Sequence, residues 1–171
     1  VITASLQSNN PLLKGSINVN GRNSGKLIKA HINTDLAKLD LYSLHLLDQK
    51  VVASFRSDLN LETNGKDYYK LEGNVADIMV NDTAKDYRLG AMNVNLFTNR
   101  DTTHANLVCG DFALRVSSKG GYAYILNRGM GFWTELHNQL ATKHINEMRL
   151  RERLPLANVY LQCGKENIFM R

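Results

Sequence analysis

Five histidines, two cysteines, 16 carboxylates and one lysine behind a glycine-flanked loop are the groups in this 171-residue chain that could do chemistry. Gly21-Arg22-Asn23-Ser24-Gly25-Lys26 comes nearest to a phosphate-binding loop. Such a loop needs four residues between its glycines and a hydroxyl after the lysine to hold magnesium. Here only three residues stand between the glycines, and Leu27 takes the hydroxyl's place. Alternating segments flank the loop on both sides, so a hairpin turn is the expectation. His31, His45, His104, His137 and His144 show no His-Glu-x-x-His or comparable ligand spacing. His137 and His144 are two helical turns apart, too far to share one ion without a third partner. No Gly-x-Ser-x-Gly elbow is present. The acidic residues fall in expected turns (Asp48, Asp67, Asp82, Asp86, Asp101) or on polar strand positions (Asp58, Glu62, Glu72). The expectation is a protein that is not an enzyme, with no catalytic, metal or cofactor-binding residues and no cofactor.

Cys109 and Cys163 both lie in apolar alternating segments. Free buried thiols are the simpler reading, and a disulfide joining them is the alternative in an extracytoplasmic protein. The net charge of +5 is thinly spread. Residues 1–121 hold 14 Lys/Arg against 12 Asp/Glu, and residues 122–171 hold 7 against 4. The densest basic stretch, Lys143 to Arg153, also carries Glu147 and Glu152. Nucleic-acid surfaces cluster their cations more tightly and interleave aromatics for stacking, so nucleic acid is excluded as a partner. A solvated helix end is the expected role of these cations, with anionic lipid or an acidic partner as the other reading.

The elements that position these groups follow from periodicity. With 43% apolar and 22% charged residues the chain is globular in composition, and no apolar run reaches the ~18 residues of a membrane-spanning helix. Residues 1–120 alternate apolar and polar positions: Leu13, Gly15, Ile17, Val19; then Ile28, Ala30, Ile32; Leu39, Leu41, Leu44, Leu46; Val51, Ala53, Phe55, Leu59, Leu61. A period of two marks strands with one apolar and one wet face. Asn64-Gly65 signals a hairpin. Tyr69, Leu71, Gly73 and Val75 follow, the phase slips to Ile78 and Val80, and it slips again between Tyr87-Leu89-Ala91 and Met92-Val94-Leu96. Ala105, Leu107 and Cys109, then Phe112, Leu114 and Val116, complete the tract. One-residue slips mark β-bulges, and repeated bulges imply a coiled sheet. Seven or eight antiparallel strands are expected. Asparagine, which occurs 19 times, is a poor strand former and fits the exposed face.

At Lys119-Gly120-Gly121 the period changes. Phe132, Trp133, Leu136, Leu140 and Met148 fall at helical spacing and form an expected packing face. Tyr122 to Arg128 reads as a shorter helix set off by Gly129 and Gly131, and Pro155 ends the long one. Leu156 to Cys163 then alternates again. The expected fold is mainly β with one long α-helix: a curved antiparallel sheet, U-shaped or open-barrel-like, with the amphipathic helix packed on its apolar face. Residues 1–120 are the meander, 121–154 the helical excursion and 155–171 the return strand or strands. The candidate inner face, as core or facing lipid, is Ile17, Val19, Ile28, Ile32, Phe55, Leu59, Leu71, Val75, Ile78, Val80, Val94, Leu96, Phe112 and Leu114.

Three features resemble the C-terminal part of TamB-like proteins, the AsmA-related translocation and assembly module group, in the form found in Bacteroidetes-type bacteria. They are the Leu-x-Gly and Leu-x-Leu units (Leu71-Glu72-Gly73, Leu59-Asn60-Leu61), the helix Phe132-Trp133-Thr134-Glu135-Leu136-His137-Asn138-Gln139-Leu140, and the exit Leu150-Arg151-Glu152-Arg153-Leu154-Pro155 followed by Gly164-Lys165-Glu166-Asn167. The resemblance implies a periplasm-exposed envelope protein anchored in the inner membrane, with a role in outer-membrane biogenesis. Its apolar trough would carry phospholipid acyl chains, assist outer-membrane protein assembly, or both. The implied partners are phospholipid, outer-membrane β-barrel assembly components and flanking segments of the same chain. Val1-Ile2-Thr3 carries no initiator Met or signal-peptide pattern, and Asn167-Ile168-Phe169-Met170-Arg171 stops on apolar residues, so the expectation is one segment of a longer protein. The competing reading is a surface or adhesion β-module that binds protein or glycan through the Asn and Tyr of its polar faces.

Overall fold

A computed structural model describes residues 1–82 and 85–164. Nine strands precede two helices and a final strand: β1 (Ile2–Asn10), β2 (Leu13–Asn23), β3 (Ile28–Asp40), β4 (Val52–Thr63), β5 (Tyr69–Asn81), β6 (Asp86–Arg88), β7 (Met92–Thr98), β8 (Thr102–Cys109), β9 (Phe112–Lys119), α1 (Tyr122–Thr142), α2 (Glu147–Arg153) and β10 (Ala157–Gln162). All ten strands form one antiparallel sheet in chain order, save that β6 and β7 share the same edge of β5. The sheet does not close, because β1 pairs only with β2 and β10 only with β9. At ~4.8 Å per strand its nine-strand path is about 38 Å wide.

Local chemistry accounts for the turns. Asn23 Oδ1 accepts from the Gly25 amide, and Gly25 has φ +80°, so the loop before Lys26 is a hairpin turn. Asn64 Oδ1 accepts from the amides of Lys66, Asp67 and Tyr68, which closes a five-residue loop between β4 and β5. Two phase slips are bulges. Ala37 is extra on β3, where Leu36 pairs with Phe55 and Leu39 with Ala53. Asp77 is extruded from β5 at φ +52°, between Ala76, opposite Arg56, and Met79, opposite Ser54.

Several expectations are corrected. β1 is a strand that the alternation count omits, so residues 1–120 hold nine strands rather than seven or eight. Leu41, Leu44 and Leu46 are not in a strand: β3 ends at Asp40, whose carboxylate accepts from the Ser43 amide and starts a turn. The slip after Leu89 is a break between the three-residue β6 and β7. The helical excursion divides at another place: the long helix comes first and the short one second. α1 runs unbroken through Gly129 and Gly131, because an interior glycine costs only about 1 kcal/mol. It stops at Lys143, which caps it in the left-handed conformation at φ +54°. Asn146 then caps α2 by accepting from the Arg149 amide.

The expected helix packing face also divides. Phe132 and Leu136 are half-buried, whereas Trp133, Leu140 and Met148 are 68%, 59% and 73% exposed. α1 packs mainly against α2 and meets the sheet through its first turn. The Gly164-Lys165-Glu166-Asn167 unit past Gly164, and the apolar end from Asn167 to Arg171, lie outside the described residues.

Candidate functional site: an uncovered apolar sheet face

The ladder register aligns the apolar positions into rows that run across the whole sheet. One row is Ala4, Val19, Ile32, Leu59, Gly73, Val94, Leu107, Leu114 and Leu161. The next is Ile2, Gly21, Ala30, Leu61, Leu71, Leu96, Ala105, Val116 and Val159. A third runs Leu6, Ile17, Thr34, Ser57, Val75, Met92, Cys109 and Phe112. Phe55 opposes Leu36, and Val80 opposes Ala53, on the same face beyond the bulges, with Ile78 two residues before Val80. Ile28 is two residues before Ala30 at the far end and is 37% exposed. All fourteen candidate inner-face residues therefore share one side of the sheet.

That side is not buried. Among the described residues only Leu36, Cys109 and Ala113 are buried apolar residues, and no large side chain is fully enclosed. The accessible surface is 12152 Å², against about 8,400 Å² for a compact monomer of this mass. A sheet normally hides an apolar face against a second layer. Here the aliphatic residues at the centre of the first two rows are only half-buried, and the rows continue to exposed Leu6, Val159 and Leu161 at the two edges.

Glycines shape the face. Gly73 stands in the first row between Leu59 and Val94 at φ +156°, and a Cβ there would lie 2.0 Å from the Asp58 carbonyl oxygen. Gly15 repeats the arrangement at φ +151°, with the Asp35 carbonyl 2.2 Å from the same position. Glycine kinks and bulges are the devices by which sheets coil.

The opposite face is wet. Asn18, Asn33, Asp58, Asn74 and Asn93 form one row, and Asn20, His31, Asn60, Glu72, Asn95 and Asn106 form another. Lys29 pairs with Glu62 and Lys70 with Glu72, each at 2.9 Å. The Lys29 ammonium, and then the Tyr68 hydroxyl at 3.0 Å, hold the Glu62 carboxyl below the usual carboxylate range. Desolvation, and then the Glu62 acceptor, push the Tyr68 hydroxyl up. Glu72 raises Lys70. Such exposed pairs tune a surface rather than build a reaction centre.

A polar seam at one end of the apolar face has no counterpart among the sequence expectations. Thr63, Tyr69, Thr98, Thr103 and Ser118 share one ladder row. The Tyr122 amide donates to Thr98 Oγ1 at 2.9 Å, Thr98 Oγ1 meets Thr103 Oγ1 at 2.7 Å, and Thr103 Oγ1 donates to the Gly120 carbonyl at 3.1 Å. Tyr122 also stacks edge-on against Tyr69 at 5.4 Å. This chain satisfies buried hydroxyls that would otherwise be costly, and it seats the first turn of α1. Its signal in the sequence is the substitution of Thr or Ser for an aliphatic residue at the same end of four strands.

Cys109 is buried and Cys163 half-buried, and both are free thiols. β9 lies between β8, which ends on Cys109, and β10, which ends one residue before Cys163, and two strand spacings are about 10 Å, beyond disulfide reach. Among the described residues no three His, Cys, Asp or Glu side chains converge as metal ligands would, and no helix is long and apolar enough to cross a membrane. Comparison of the chain with protein families, curated proteins and solved structures gives no match.

Proposed function

We propose that this chain is a non-enzymatic segment of a periplasm-exposed envelope protein of outer-membrane biogenesis, and that its apolar sheet face takes phospholipid acyl chains. Assistance to outer-membrane protein assembly is a second use of the same face. The observation that carries this reading is the set of apolar rows that crosses the nine-strand path, two of them from edge to edge, without a covering layer. An aliphatic surface of that kind is stable in water only when something apolar lies on it. The acyl chain fits because it needs no hydrogen bonds and tolerates any register along the rows. The two bulges and the two strand glycines favour a sheet curved into a trough, and the resemblance to TamB-like proteins supplies the inner-membrane anchor of the longer protein.

The test has two arms. Organic extracts of the chain purified from bacteria are analysed by mass spectrometry for phospholipid. A photocrosslinking residue is then placed at Val75 or Leu96 in the full-length protein in cells. Lipid in the extract and crosslinks to phospholipid are expected. Crosslinks to neither lipid nor an outer-membrane protein would sink the proposal.

A surface or adhesion module is the alternative reading, and one hollow on the wet face favours it. Asn95, His104, Asn106, Arg115, Asn158 and Tyr160 line that hollow, the Asn106 side-chain oxygen is enclosed and unpaired, and Arg115 lies over the Tyr160 ring at 5.6 Å. Binding on a glycan array that is lost in Tyr160→Ala would favour this module over the lipid-carrying face.

A further inference from the structure

The wet face of β7 to β10 holds an open hollow of about 480 Å³, a volume in the range of small-ligand sites. The ladders set its walls. Asn95 pairs with Asn106, Asn106 with Arg115, and Arg115 with Tyr160, which makes one row. His104, Ser117 and Asn158 make the next. The His104 ring stacks on Phe97 at 6.3 Å, so an aromatic surface continues past that row.

Charge separates this hollow from others on the same face. Glu62 and Glu72 line one of them, and Asp35, Asp58 and Asp77 another. Here none of the described lining residues is acidic. Arg115 is exposed, lies over the Tyr160 ring at 5.6 Å, and has no carboxylate partner among the described residues. Its guanidinium fork matches a carboxylate in a bidentate pair. One cation among three carboxamides and a serine hydroxyl suits a ligand with one negative charge and many hydroxyls. A nucleic acid would draw several cations along its phosphates. Asn106 Oδ1 is enclosed and accepts no hydrogen bond, and an acceptor left in that state is costly. The terminal amide torsion is broad, so a ligand hydroxyl can turn it into the hollow and satisfy it. The Tyr160 and His104 rings flank the hollow and offer apolar surface to the C–H side of a sugar ring.

We infer that this hollow binds an acidic glycan, with the carboxylate of one sugar on Arg115 and a neighbouring hydroxyl on Asn106. The inference rests on the surface-module reading of the same hollow, and it stands apart from the lipid-carrying face on the other side of the sheet.

The chain is applied to an array of galacturonate, guluronate and hyaluronate tetramers and sialyllactose, each beside its carboxyl methyl ester, and calorimetry gives Kd for the glycans retained. An acidic glycan is expected to bind about tenfold or more tightly than its ester. Arg115→Gln and Asn106→Leu should each weaken that binding about tenfold or more without change in circular dichroism. Arg115→Gln should also abolish the preference for acid over ester. Lys29→Gln, in the hollow lined by Glu62 and Glu72, should leave the affinity unchanged. Acid and ester bound alike, or an affinity that Arg115→Gln leaves in place, overturns the acidic ligand while the glycan module stands. Binding to no glycan on the array overturns both.

Discussion

The Arg56 guanidinium closes on the carboxylate of Asp77, the residue that β5 extrudes at its bulge. The pair sits one residue from Phe55, and Phe55 is flanked on the other side by the β3 bulge at Ala37. Two neighbouring strands thus add their extra residue at the same level of β4. Beyond the slip the apolar face is regained, because Val80 again opposes Ala53.

Asp77 stands in the left-handed region, which suits Asp and Asn better than β-branched residues. The ion pair is largely exposed on both sides, so its removal in Arg56→Ala should cost no more than about 1 kcal/mol. Asp77→Gly should be close to neutral, whereas Asp77→Val should cost about 1–3 kcal/mol. Urea denaturation of the three variants checks this order.

Gly73 and Gly25 both have positive φ, but their surroundings differ. Nothing approaches within 4 Å of a Cβ at Gly25, while a Cβ at Gly73 would strike the Asp58 carbonyl. Gly25→Ala should cost about 1 kcal/mol, and Gly73→Ala about 3 kcal/mol or more, because β4 and β5 must separate. Thermal unfolding of the two variants, followed by circular dichroism, gives the comparison.

Gln139 is buried where α1 turns back to α2. Its side-chain oxygen accepts from the Asn146 amide at 2.6 Å, and its amide donates to Glu135 at 2.7 Å. Gln139→Leu keeps the volume and removes these two bonds and a longer one from the same amide to the Asn146 carbonyl at 3.4 Å, for a loss of about 2–3 kcal/mol at about 1 kcal/mol per bond. Hydrogen exchange should quicken at the Asn146 to Arg149 amides while the β4 and β5 amides keep their protection.

Acid should weaken the sheet through its wet face. Glu62 binds its proton less tightly in the folded chain than at its ordinary value of 4.5, first because of Lys29 and then because of Tyr68. Its contribution is therefore present above pH 4.5 and lost as the pH falls through the depressed folded value. Asp67, hydrogen-bonded to Asn64, and Asp40, bonded to the Ser43 amide, shift the same way. Stability measured by denaturant titration from about pH 6 to about pH 2 should fall below about pH 4.5, and Glu62→Gln should show a shallower fall.

Much of the apolar face is legible along the chain. Ile17 and Val19, Leu59 and Leu61, and Val94 and Leu96 alternate cleanly with polar residues, and a strand's pleat sends such residues to one side whatever they pair with. The slip between Val75 and Ile78 is readable for the same reason, since one extra residue inverts the phase. Leu41, Leu44 and Leu46 mislead, because an apolar pattern carries no notice of a turn set by the Asp40 side chain. The helix misleads twice. Gly129 and Gly131 look like breaks and are not, and nothing at Lys143 looks like the break that stands there.

Local pattern alone fixes the two faces of each strand, the wet role of the asparagines and the helical period after Gly121, because these follow from bond geometry within a few residues. Long-range packing selects which residues share a row and makes the Thr98 and Thr103 hydroxyls the seat of α1. It also places β9 between β8, which holds Cys109, and β10, which Cys163 follows, and it turns Trp133 outward while Phe132 is half-buried. Those relationships join residues distant in the chain, or choose between two apolar stripes of one helix. Ladder register and packing set them, and local periodicity cannot.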